Sequence, residues 1–150
     1  MRGVMRLRIL GIVFSAIAGA AMSLQGVFNA RLAEKVGLLE SNAFVQGTAF
    51  ALSLVAMLAA GSGNLANLAD TNRLYWLGGA LGIVITVTVM LGMQSLGPTV
   101  TVSVILIAQL LVAAGIDALG LFGTERVAFA WRQWAGMALM LAGVVVFKAH

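Results

Sequence analysis

Cysteine is absent from the chain, which excludes every disulfide, thiolate metal site and thiol nucleophile. The single histidine, His150, cannot by itself build a histidine-based triad or a multi-histidine metal site. No Walker-type phosphate loop is present, and Gly61-Ser62-Gly63 has only the character of a turn. Catalytic groups are therefore too sparse for an enzyme, and nothing implies a cofactor or a bound metal. Charge is scarcer still. Only 9% of the 150 residues are charged and 61% are hydrophobic, whereas a soluble domain carries about a quarter charged residues. The outer surface must then face lipid, in keeping with a mean hydropathy of +1.04. The net charge of +4 is not a nucleic-acid footprint, because the Lys and Arg residues are scattered at segment ends with no basic stripe.

What the chain does contain is long apolar runs and 18 glycines, a composition suited to helices that pack backbone against backbone in a bilayer. A spanning helix needs about 20 apolar residues, so the charged residues act as fence posts. They predict helices over about 9–30, 41–60, 74–95, 98–119 and 129–147. The stretch from Leu74 to Ile116 is too long for one span, and Gly97-Pro98 divides it in two. Tyr75, Trp76, Trp131 and Trp134 suit interfacial anchors. Continuous rather than alternating apolarity excludes barrel strands. The expected fold is an all-α integral membrane bundle of five transmembrane helices, forming one membrane domain over residues 1–150. Arg2, Arg6 and Arg8 followed by an apolar run and Ala18-Gly19-Ala20 also imitate a cleavable secretory signal. The apolar run continues past that cut and four further spans follow, which argues against cleavage.

Orientation follows from the Lys and Arg count. Arg2, Arg6, Arg8, Arg73, Arg126 and Arg132 fall on one side, and Arg31, Lys35 and Lys148 on the other, six against three. The bias predicts a cytoplasmic N-terminus and an outer C-terminus.

Five amides are the candidate solute contacts. Gln25 and Asn29 lie one turn apart in helix 1, and Asn42 and Gln46 repeat that spacing in helix 2. The helix 1–2 hairpin brings the four to similar depth, where amides can coordinate a polar or cationic solute without changing charge. The same groups can instead bond helix to helix. Gln109 lies near the middle of helix 4, where a polar residue is costly unless paired. Asp117, two turns on, is either a solvated or Arg-paired carboxylate near the inner interface or a coupling group. Gly79, Gly82 and Thr86 line one side of helix 3, with Met90 and Met93 beyond them as adaptable filler. Glu40 suits the start of helix 2, and Glu34, Asp70 and Glu125 are expected in solvated loops.

Two runs carry a family resemblance. Gln25-Gly26-Val27-Phe28-Asn29-Ala30-Arg31-Leu32 with Gln46-Gly47 resembles the opening of the YdcZ-like proteins. Gln109-Leu110-Leu111, Asp117-Ala118-Leu119-Gly120-Leu121-Phe122-Gly123 and Arg132 with Gly136 and Gly143 resembles their helix 4–5 signature. These proteins are half-size, five-helix members of the drug/metabolite transporter superfamily. The resemblance implies half of an inverted-repeat transporter fold in the cell inner membrane, with a site near the midplane once two opposed halves meet. It implies a transport role without naming a cargo; the amides suit a small polar or cationic solute, and a half-size carrier would work as an antiparallel homodimer or with an oppositely oriented paralogue. Helix 1 lacks the buried glutamate of the similar-sized small multidrug resistance proteins, so Asp117 is the only near-membrane substitute. A non-transporting scaffold or regulatory subunit is the alternative from another class.

Overall fold

The computed structural model describes residues 2–127 and 130–148, with side chains from residue 5 through 147. Phe129, the expected start of the last helix, lies outside these residues, as do His150 and the side chains of Arg2 and Lys148. Among the described residues the fold is entirely helical: α1 (Arg2–Val36), α2 (Leu38–Ala60), α3 (Gly78–Leu96), α4 (Pro98–Leu119) and α5 (Trp131–Lys148). Four segments are long and apolar enough to cross a membrane, namely Met5–Val36, Leu38–Ala60, Arg73–Leu96 and Pro98–Leu119. The fifth, Trp131–Phe147, is a shorter apolar helix.

α1 overruns the expected 9–30 at both ends. Its 35 residues extend about 52 Å at 1.5 Å per residue, against a hydrocarbon core of about 30 Å. Charged residues limit how much helix lipid will accept, but Arg, Glu and Lys are good helix formers and do not stop the helix itself. Glu34, expected in a loop, is therefore helical and pairs with Arg31 at 3.0 Å. What ends α1 is Gly37 at φ 104° and ψ 155°, a conformation open to glycine and hostile to side chains. A Cβ there would also run into the Glu40 carboxylate. With one residue as the whole connection, α2 starts at Leu38 rather than 41, and Glu40 falls in its first turn. Gly97, at φ 79° and ψ 164°, makes a second one-residue turn into α4, whose first residue is Pro98.

The connection from α2 to α3 is longer and is built from two short 310 segments, Leu65–Asp70 and Arg73–Leu77. Asn64 and Asn72 cap them by accepting from the backbone N–H of Ala66 and Leu74 at 2.9 and 3.0 Å. The α-helical part of the third span consequently starts at Gly78, four residues later than expected. Trp76 donates its indole N–H to Thr71 Oγ1 at 3.1 Å, and Tyr75 and Trp76 are both exposed.

The chain forms two compact units, residues 1–95 and 96–150. Their burial is inverted relative to a soluble protein. Large apolar side chains such as Phe14, Leu52 and Leu58 are 65%, 71% and 76% exposed, while Asn29, Ser41, Asn42 and Thr101 are buried. Every residue from 5 to 22 on α1 and from 47 to 60 on α2 is exposed. Lipid, not water, is the solvent such surfaces suit.

Candidate functional site

In the first unit the covered strip of α1 is Gly26, Asn29, Ala30 and Ala33, an i, i+3, i+4, i+7 stripe. α2 meets it with Ser41 and Asn42, both buried, and with half-buried Gln46. α3 closes the third side through Thr86, Met90 and Met93. Gly26 is what allows this approach: a Cβ there would lie 2.5 Å from Met93 Cε and 3.1 Å from Val89 Cγ1. The packing is concentrated in the part of the unit nearest the Gly37 turn, and that part contains the unit's buried polar groups.

Most of those groups bond across helices. Ser41 Oγ can donate to the Asn29 carbonyl at 3.3 Å or to Met90 Sδ at 3.6 Å, one proton serving one acceptor at a time. Gln46 Nε2 donates to Thr86 Oγ1 at 3.5 Å, and Thr86 in turn donates to the Gly82 carbonyl at 2.8 Å. Gln94 Nε2 reaches the Ala30 carbonyl at 3.4 Å. These long bonds tie α1, α2 and α3 together, the packing role open to membrane amides. Asn42 differs. The residue is 8% exposed, yet its Oδ1 is a buried acceptor without a partner among the described residues. An unpaired buried acceptor costs about 1–3 kcal/mol, and Asn42 Oδ1 carries that cost among the described residues.

The structure thus brings Asn29, Asn42 and Gln46 into one layer. Gln25 is exposed and makes no hydrogen bond among the described residues, because it lies one position off the covered stripe of α1. Ser41 and Gln94, which the spacing argument passed over, belong to the layer. A hydroxyl beside Asn42 and an amide one turn beyond Met90 were the available signals.

The second unit is described by itself. Gln109, on α4, is exposed and without a hydrogen bond among the described residues. Asp117 is half-buried and lines a groove of about 470 Å³ between α4 and α5. α4 contributes Leu110, Ala113, Ala114 and Asp117, and α5 contributes Gln133, Gly136, Met137 and Met140. Both stripes again have i, i+3, i+4, i+7 spacing, so the two helices turn one face each to the groove. Arg126, an obvious partner for Asp117, donates instead from Nε to the Ala118 carbonyl at 3.1 Å. Val127 N–H bonds the Asp117 carbonyl at 2.8 Å, and Gly120, at φ 64°, returns its N–H to Ile116. The chain after α4 therefore satisfies the last carbonyls of that helix without neutralising the carboxylate. No group of His, Asp or Glu able to hold a metal ion occurs among the described residues.

Helices that expose apolar side chains and bury neutral polar ones define a multi-pass helical membrane protein. The chain belongs to the family described as "Putative inner membrane exporter, YdcZ", whose model matches residues 10–146. It is accordingly a multi-pass protein of the inner membrane and a member of a transporter family, not of an enzyme class. No curated protein and no solved structure matches the chain.

Proposed function

We propose that the chain is a half-size exporter of a small polar or cationic solute, with five spanning helices and a cytoplasmic N-terminus. In this reading the solute passes the layer formed by Asn29, Asn42 and Gln46, with Gln25 and Gln109 completing the pathway once a second half is present. Asp117 is the candidate coupling group. The observation that carries the reading is Asn42 Oδ1, buried and unpaired in a layer whose other contacts are satisfied. An acceptor kept at that cost suits a transient donor or cation better than permanent packing.

The first unit, with helix faces exposed from residue 5 to 22 and from 47 to 60, needs a further surface to enclose a pathway. An odd number of spans inverts the second of two fused halves, and for a half-size chain an antiparallel homodimer or an oppositely oriented paralogue would supply that inverted half. The charge bias of six against three opposes dual insertion of one chain, which keeps both partners in play. The bonds of Ser41, Gln46 and Gln94 favour the rival reading, in which the layer is glue within a scaffold or regulatory subunit.

Flux separates the two readings. Proteoliposomes loaded with a panel of small amines, amino acids and sugars should show protein-dependent efflux of at least one of them. Asn42→Leu should lose it without losing folded protein. Cysteines introduced singly near positions 25 and 46, in a chain that has none, should cross-link in antiparallel register. Exclusively parallel dimers would overturn the opposed-pair mechanism.

A further inference from the structure

The groove between α4 and α5 is polar at one end only. Asp117 lies in the last turn of α4 and Gln133 in the first turn of α5, so the antiparallel pair brings carboxylate and amide to the same end. Leu110 and Met140, at the far ends of the two stripes, make the opposite end apolar. Small residues, Ala113, Ala114 and Gly136, keep the middle open, and a Cβ built on Gly136 meets nothing within 4 Å. The volume, about 470 Å³, lies within the range of about 300–1,000 Å³ usual for small-molecule sites.

The carboxylate has no evident structural use. It lies at the helix end where a negative charge opposes the macrodipole, and no cation pairs with it among the described residues. The nearest basic residue in the loop, Arg126, is committed to the Ala118 carbonyl. An intramembrane acid with neither a partner nor a favourable dipole is retained at a cost.

We propose that this groove binds an amphipathic monovalent organic cation. The ammonium group rests against Asp117 and the Gln133 amide oxygen, and the apolar body lies over Ala113 and Gly136 toward Met137 and Met140. Methionine suits the apolar end because its flexible, polarisable side chain adapts to different alkyl and aryl groups. The amide and the carboxylate together accept the N–H groups of a primary or secondary amine and attract a quaternary one by charge. The inference deepens the transport reading in ligand class. It depends on that reading only for the movement of what binds.

The test is equilibrium binding to the full chain in phosphatidylcholine nanodiscs, with labelled benzyltrimethylammonium as probe and its neutral isostere, (2,2-dimethylpropyl)benzene, as competitor at matched free concentration. Saturable binding is expected, weakened at least tenfold by Asp117→Asn. Gly136→Leu, whose Cβ meets nothing within 4 Å, puts a side chain into the open groove and should weaken binding as much while leaving thermal stability intact. The isostere should compete at least tenfold more weakly than unlabelled cation. Saturable binding by a wild-type chain that moves no solute in proteoliposomes would count against the transport reading alone. The proposal is overturned by absence of saturable binding, by wild-type affinity in Asp117→Asn or Gly136→Leu, or by equal competition from the isostere, which would mark a slot for lipid chains. Should Asp117→Asn fail to fold, Gly136→Leu and the isostere decide the matter.

Discussion

The two units solve the problem of polarity in lipid differently. In the first, neutral hydroxyls and amides of α2 and α3 bond to one another and to backbone carbonyls, two of them on α1, and one acceptor, Asn42 Oδ1, is left over among the described residues. In the second, two helices face each other across a groove lined by one carboxylate, Asp117, which has no ion pair among the described residues. A neutral layer can be buried because each member loses little when its neighbour compensates. A charge can only be kept where space or water reaches it. The packed unit is therefore the place where substitutions should cost stability, and the groove the place where they should change ligand affinity.

The largest expected effect is on the architecture of the first unit. Gly37→Val forces a β-branched residue to φ 104° and into Glu40. It should destabilise the α1–α2 hairpin by roughly 3 kcal/mol or more, since strain alone is worth about 1–3. Thermal unfolding in detergent should show a large drop or no folded protein at all. A Gly37→Val protein as stable as wild type would mean that the one-residue turn is not needed.

Gly26 sharpens the same comparison. Gly26→Leu should separate α1 from α3 and cost about 1–3 kcal/mol by overpacking. Gly26→Ala should cost less, because its first obstacle is the mobile end of Met93. In the second unit Gly136→Leu, with open space around it, should leave the melting temperature unchanged or higher. Equal losses at positions 26 and 136 would erase the contrast between packed layer and open groove.

Asn42→Leu should move in the opposite direction from its neighbours. Removing an unpaired buried acceptor should raise stability by up to about 1–3 kcal/mol, whereas Ser41→Ala breaks a bond to the Asn29 carbonyl and should lower it by about 0.5–1.5 kcal/mol. A loss of stability in Asn42→Leu would place that residue with the packing groups. The smallest effect is expected at Arg31, whose ion pair with Glu34 is 75% and 43% exposed. Arg31→Gln should change stability by less than about 1 kcal/mol.

Much of this was open to reading in the sequence, for identifiable reasons. Gly97-Pro98 marked a helix boundary because both residues restrict the backbone directly. The overrun of α1 was not legible from charge, since Arg8 and Arg31 limit burial in lipid rather than helicity. Asn42 and Gln46 fell on one face by spacing alone. The same spacing does not put Gln25 inside the covered strip, because an i, i+4 relation fixes a face without fixing how wide a strip of it is covered. Ser41 joins the layer through the Asn29 carbonyl across the α1–α2 turn, and Gln94 through the approach of α3 to α1, tertiary facts that no local pattern carries. Of the readings open for Asp117, pairing with Arg126 was not decidable from spacing for a related reason: the Arg126 guanidinium is taken up by the helix end, at the Ala118 carbonyl.

The central claim, that the polar layer faces an aqueous pathway rather than serving as glue, is tested most directly by the reactivity of single cysteines toward a membrane-impermeant thiol reagent. The chain has no cysteine of its own, so one placed at Gln46, in the layer, can be compared with one at Leu52, which is 71% exposed on a bare apolar surface. The account predicts labelling at position 46 in intact membranes at least tenfold faster than at position 52, slowed by a transported solute. Equal and negligible labelling at both positions would contradict it.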